Sequence, residues 1–492
     1  MKFRDIGFLV GLTIAAVIVH GYHPNAEDAA IYLPGVEKQI WPELFPFNQQ
    51  FFASHARFSI FPQLIAWSVK ITHLSLYQAL FLWHLLSIVL LLWACFRLAA
   101  LCTQNVSGRW AAVSLVAALL TLPVAGTALY IMDQYVNPRN LCAFAAVLAV
   151  VLLVEERYLL AGLCLFLGAA IHPFMSFFAF AFCAVYVLIE WRGAWRPAAA
   201  SIIPLGFLYP TPTPAYHQVA LSHPYHYLVH WQWYEVLGAV GPLCIFWILA
   251  RFAAGRRRKE LQRMSQAAML VGAGSLLAAL ILALPSRFEV VARIQPLRSF
   301  YLLYVLLLVF LGTLLGEYLL KAQAWRWILA FLPMCIGMFV AQRSLFPESA
   351  HIELPGVQSR NPWVQAFEWT RDNTPLDARF ALDPDHMRIA GEDANGFRAI
   401  SRRSMLADAV KDSGAVSMFP PLADEWLRQV DAQTHWKNFQ SEDFERLQAE
   451  YGVNWVILQQ PMRAILECPY QNPAVAVCRL ENRNAITQQI VH

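Results

Sequence analysis

The feature that most constrains this chain is the recurrence, through residues 1–344, of apolar runs that carry almost no charge. A helix needs about 20 such residues to cross a bilayer, and a run that long in lipid must satisfy its own backbone hydrogen bonds. The runs fall at 6–19, 76–95, 110–128, 141–154, 159–171, 174–190, 197–209, 236–253, 266–285, 300–317 and 325–341, which predicts eleven crossings. Composition agrees: 58% of the 492 residues are hydrophobic and 14% charged, against about 25% charged in soluble proteins. From residue 345 onward the chain is polar, of mixed charge, and has no such run. The expected fold is an α-helical polytopic membrane protein with a small C-terminal α/β domain outside the membrane. Its parts are a bundle over 1–344, with an outer loop at 21–75, and a soluble domain over 345–492. The net charge of +4 is small, and no basic stripe interleaved with aromatics is present, which argues against nucleic acid as a partner.

Topology follows from the placement of the basic residues. Lys2 and Arg4 precede the first apolar run. No small-residue cleavage site follows that run before His23, so it reads as a retained span rather than a removed signal. With the N-terminus in the cytoplasm, the inside segments hold fifteen Lys and Arg and the outer loops of the bundle hold seven. The run Gly255-Arg-Arg-Arg-Lys259 marks a cytoplasmic loop by the positive-inside rule. An odd number of spans then puts the C-terminal domain outside. Of nine cysteines, Cys468 and Cys478 are the pair in the soluble part; a disulfide between them fits an oxidising compartment. Residues 58–73 are amphipathic, contain Pro62 and Lys70, and are expected to lie at the interface.

This topology gathers the chemistry-bearing residues on the outer side. The stretch Gly21-Tyr-His-Pro-Asn-Ala-Glu-Asp-Ala-Ala-Ile-Tyr32 places two adjacent carboxylates, Glu27 and Asp28, just beyond the first span. Carboxylates there can act as a general base or hold a metal; they can equally cap a helix. The loop Met132-Asp-Gln-Tyr-Val-Asn-Pro-Arg139 brings Asp133 and Arg139. His172 precedes Pro173, and Arg287, Arg293 and Arg298 complete the set. His226 and His230 are four residues apart, the spacing of a ligand pair on one helix face, although so aromatic a loop more commonly anchors at the membrane interface. Walker, Gly-rich dinucleotide, CxxC, HExxH and GxSxG motifs are absent. In the soluble part, Pro362–Asn373 and Phe444–Tyr451 read as helices, and 378–382, 453–458 and 474–480 as strands. The basic run Phe397-Arg-Ala-Ile-Ser-Arg-Arg-Ser404 reads as a solvated face, with lipid phosphate as the other reading.

The order of these features resembles the GT-C fold membrane glycosyltransferases. Glu27-Asp28 after the first span, Phe58–His73 as a juxtamembrane helix, and the Asp133/Arg139 loop carry the resemblance, together with an external C-terminal domain containing Tyr451-Gly-Val-Asn-Trp-Val-Ile-Leu458. The chain is also similar to bacterial membrane proteins of this type that have no assigned activity. The resemblance implies transfer of a sugar from a polyprenyl-phosphate donor to an extracytoplasmic acceptor, at the bacterial inner membrane. It implies Asp28 as general base with Glu27 second, and substrate-binding roles for Asp133, Arg139, His172, Arg293 and Arg298. It names the lipid-linked sugar as co-substrate and leaves a divalent metal open. The competing expectation is a non-catalytic transporter or envelope-assembly scaffold of the same fold.

Overall fold

The computed structural model describes residues 3–190, 212–283, 289–462 and 466–480. The expected span at 197–209 and Arg287 lie outside them. The chain forms two compact units.

The first unit comprises Met1–Tyr22, Phe58–Phe61 and Tyr77–Ser344. Among its described residues, seven helices are long and apolar enough to cross a membrane: Phe3–His20, Leu76–Cys102, Pro173–Glu190, Trp233–Gly255, Lys259–Leu282, Pro296–Leu320 and Ala324–Leu345. Three shorter apolar helices, Val106–Ala118, Pro138–Val154 and Tyr158–Ile171, accompany them. One expected span is corrected. The run over 110–128 is helical only to Ala118, and 119–137 follows as turns and extended chain. Helix resumes where Asn137 caps the first turn and Pro138 supplies a fixed φ at its start. The helices close on one another through small residues. A Cβ on Gly312 would lie 2.5 Å from the Ala112 Cα, and one on Gly316 would lie 2.3 Å from the Ser107 oxygen. This Gly-x-x-x-Gly pair lets the backbones of Val106–Ala118 and Pro296–Leu320 touch.

The second unit comprises His23–Arg57, Pro62–Leu76 and Leu345–His492. Most of the segment expected to belong to the bundle as its outer loop therefore packs with the C-terminal domain. Hydrogen bonds account for this: the Phe47 amide donates to Ser404 Oγ (3.1 Å), and Asn48 Nδ2 donates to the Met405 carbonyl (3.0 Å). Arg379 also lies 4.7 Å above the Phe47 ring.

The unit's sheet has five strands, β1 (Arg379–Leu382), β2 (Ser404–Met405), β3 (Trp455–Gln459), β4 (Glu467–Gln471) and β5 (Val475–Arg479), in the order β2-β1-β3-β5-β4. β1 runs parallel to β2 and β3, whereas β5 is antiparallel to β3 and β4. Alternation along β1 and β3 feeds two cores. Phe380, Leu382, Trp455 and Ile457 pack with Trp363, Phe367 and Phe397 on one face; Ala381, Val456 and Leu458 pack with Trp436, Phe444 and Leu447 on the other. Both faces are thus covered, as parallel pairing requires. A disulfide joins Cys468 to Cys478 across the β4–β5 hairpin. Helices Pro362–Asn373, capped by Asn361, and Ser441–Tyr451, ended by Gly452 at φ +67°, lie close to their expected bounds.

Candidate functional site

In the second unit the two first-loop acids sit where the chain turns into the helix Ala29–Ile40. The approach is sewn to the loop before Phe397: the Glu27 amide donates to the Ala394 carbonyl (2.8 Å) and the Gly396 amide to the Asn25 carbonyl (3.1 Å). Gly396 permits this closeness, since a Cβ there would lie 2.5 Å from the Ala30 Cβ. The bridge forces Glu27 to φ +55°, a left-handed conformation costly for a side chain with a Cβ and typical of functional positions when it persists. Asp28 occupies the N-cap position, but its side chain makes no capping hydrogen bond. The helix-cap alternative for this acid therefore fails.

Both carboxylates turn instead to Lys411. Its Nζ contacts Glu27 Oε2 and lies 3.0 Å from Asp28 Oδ1. The Lys411 side chain is 13% exposed, Asp28 26% and Glu27 47%. Burial works against the charged ammonium, yet Asp28 and Glu27 outweigh it and hold the Lys411 pKa above the ordinary lysine value.

Lys411 is itself held firmly. Asp408 Oδ1 accepts from the amides of Val410 (2.8 Å), Lys411 (2.5 Å) and Asp412 (3.2 Å), closing the turn before the helix Asp412–Met418. Asp412 is gripped at both oxygens by the buried Arg398 guanidinium (2.7 and 2.8 Å). Below Glu27, the buried Glu392 accepts from the Asn395 amide (2.9 Å). Burial pushes its pKa well above the usual range; backbone donors oppose this, and Asp393 and Glu27 add to it.

The basic run 397–404 is not the solvated face expected. Arg398 is buried on Asp412. Arg402 Nε donates to Glu37 Oε1 (2.7 Å), and its guanidinium lies 4.2 Å above the Trp41 ring. Arg403 is buried and donates to the carbonyls of Arg371 and Thr374 (2.6 Å each). Glu37 is fully buried, and burial raises its pKa to about 7 against the opposing pull of Arg402.

The remaining expected site residues belong to the first unit. Asp133 and Arg139 are buried and bond to each other (3.0 Å). Asn137 Nδ2 donates to the same carboxylate oxygen (2.6 Å), and Asn140 binds the Asp133 and Tyr135 carbonyls (3.3 and 2.8 Å). This is a closed knot that shapes the 119–137 segment. His172 Nδ1 accepts from the Met175 amide (3.4 Å), placing it as a cap on the helix Pro173–Glu190. Arg293 and Arg298 are half-buried and close to the aromatic loop. Burial, then His223, then Arg298 keep His226 well below the ordinary histidine value. His226 and His230 lie in two separate short turns, 224–226 and 228–230, rather than on one helix. Among the described residues no group of three or more His, Cys, Asp or Glu is arranged to hold a metal ion.

Lys411, Arg398 and Glu392 were not anticipated. Each is distant in sequence from the first loop, and no spacing rule connects Asp408-Ala-Val-Lys-Asp412 to it.

No protein-family profile matches the chain, and no curated protein matches it in sequence. Solved structures do match. The oligosaccharyltransferase of Archaeoglobus fulgidus in its apo form aligns with TM-score 0.52 at 13% identity, over 93% of this chain and 70% of that one. Oligosaccharyltransferase AglB from the same organism, in complex with an inhibitory peptide and a dolichol-phosphate, aligns with TM-score 0.51 at 12% identity, over 93% and 69%. The arabinofuranosyltransferase AftD from Mycobacteria aligns with TM-score 0.48 at 15% identity, over 97% and 40%. At these identities the likeness is one of fold. The chain is a multi-pass membrane protein of the GT-C fold with a small C-terminal sheet domain.

Proposed function

We propose that this protein is a membrane glycosyltransferase. It moves a sugar from a polyprenyl-phosphate donor to an extracytoplasmic acceptor at a bacterial inner membrane, with the N-terminus in the cytoplasm. The observation that carries the reading is the Glu27–Asp28 pair: adjacent carboxylates on a left-handed backbone, gathered on one ammonium, and partly open to solvent. Asp28 accepts the proton of the attacking acceptor group, or orients that group, while Glu27 holds it in line. Such a base contributes about 10²–10⁴-fold, and positioning supplies more. Within the first unit, the half-buried Arg293 and Arg298 are guanidinium groups of the kind that pairs bidentately with phosphate oxygens. The archaeal neighbour seen with a dolichol-phosphate supports a lipid-phosphate donor.

The scaffold or transporter alternative would draw on the buried Asp133–Arg139 pair, whose groups are held by Asn137 and Asn140 of the same segment. The deciding experiment supplies radiolabelled polyprenyl-phosphate sugars to the purified protein in proteoliposomes. Donor consumption that depends on Asp28 supports the reading. Absence of consumption with every donor lipid tried, or unchanged consumption by Asp28→Asn, removes it.

A further inference from the structure

The Glu27–Asp28 pair places two adjacent carboxyls on a partly exposed turn. Adjacent carboxylates can be bridged by an oxygen-ligated divalent ion. Here the cation comes from the chain. The Lys411 ammonium has three donors and directs two of them at Glu27 Oε2 and Asp28 Oδ1. Its backbone is fixed by the Asp408 turn, and that turn by the Arg398–Asp412 pair. Asp393, the next acid in the loop, is occupied elsewhere: its Oδ2 accepts from the amides of Glu348 (3.0 Å) and Ser349 (2.7 Å).

We propose that Lys411 is a tethered counter-cation, standing between Glu27 and Asp28 where a divalent ion would otherwise bridge them. It is a positioning residue: it sets the distance between the two acids and excludes a metal while it is in place. The proposal rests on the reading of Glu27–Asp28 as the working pair, but its test does not use transfer activity, so either can fail without the other.

The experiment follows thermal unfolding of the full chain in detergent, with and without Mn²⁺. Lys411→Ala removes the ammonium that both carboxylates contact, and its Tm should fall by about 5–10 °C. Mn²⁺ at about 10 mM, or ethylammonium, should restore at least half of the loss by binding the folded state alone. Sodium chloride at matched ionic strength should not, and Lys411→Ala combined with Asp28→Asn should show no Mn²⁺ response. Lys411→Arg keeps the charge and should stay insensitive to Mn²⁺, which preserves the test if the alanine variant does not accumulate. Mn²⁺ binding to the unmodified protein, followed by electron paramagnetic resonance, should be the same as to Asp28→Asn. The proposal is overturned if the unmodified protein binds Mn²⁺ through Asp28, if Lys411→Ala keeps its Tm, or if its loss is indifferent to added cations.

Discussion

Two clusters of charge, one in each compact unit, show how differently a carboxylate and a cation can be used. Asp133 and Arg139 are 6% and 5% exposed, bonded to each other and surrounded by Asn137 and Asn140. Every strong group there has a partner from the same short segment. Glu27, Asp28 and Lys411 are arranged otherwise. Two acids share one base, Glu27 is 47% exposed, and its backbone is held in a left-handed conformation. The first cluster satisfies itself and therefore reads as architecture. The second gathers two carboxylates on one ammonium, partly open to solvent and on a backbone that the surroundings must hold in place, and therefore reads as a site. Clustered charges are not equivalent evidence of function; what separates these two is how far each is satisfied within its own short segment.

The sharpest way to break this contrast is at Arg139. Arg139→Leu strands the buried Asp133 carboxylate, and loss of one partner of such a pair costs about 3–5 kcal/mol. The variant should fail to accumulate as a monodisperse species in size-exclusion chromatography. Leucine at both Asp133 and Arg139 should recover much of that loss, since the pair then leaves no lone charge. A well-behaved Arg139→Leu protein with impaired donor binding would instead make the knot a substrate site.

A second test asks whether burial alone makes a carboxylate functional. Glu37 lies in the same unit as Glu27 and Asp28, fully buried, with a folded pKa of about 7 against an ordinary value of 4.5. The folded state keeps a proton that the unfolded chain releases between those values. Stability from this group is therefore complete below pH 4.5 and declines as pH rises to about 7, by on the order of 3 kcal/mol. Glu37→Gln should flatten the Tm between pH 5 and 8 and leave transfer intact. A variant whose Tm still falls over that range would assign the pH dependence to another group.

The smallest effect is expected from the hairpin disulfide, which touches neither cluster. It closes a separation of 10 residues, and its loss should cost about 2–3 kcal/mol by loop closure. Replacing Cys468 and Cys478 by serine should lower the Tm under non-reducing conditions with no change in transfer. Altered transfer would tie the β4–β5 hairpin to the site.

These contrasts also mark what could be read from the residues alone. The membrane class and the sheet domain were legible because apolar run length and alternation are local signals: Pro296–Leu320 announces a span, and 453–458 a strand. The acids at 27 and 28 were legible as candidates from their position after the first span. Their counter-cation was not, because 383 residues separate Lys411 from Asp28 and only folding brings them together. Arg398, Arg402 and Arg403 misled for the same reason. A basic run looks solvated until its partners Asp412, Glu37 and the Thr374 carbonyl are in place. The stretch 110–128 misled differently. Its apolar residues satisfy a hydropathy window, but Pro123 keeps the backbone after Ala118 out of helix until Asn137 and Pro138 start the next one.

The central claim is that the Glu27–Asp28 turn does chemistry, and Asp28→Asn tests it most directly. The substitution is nearly isosteric and keeps a hydrogen-bonding group beside Lys411. Donor-lipid consumption should fall by at least about 10²-fold, while the Tm and the elution profile stay those of the unmodified protein. Consumption by a well-folded Asp28→Asn protein at the unmodified rate would contradict the account and leave the turn as architecture, like the Asp133–Arg139 knot.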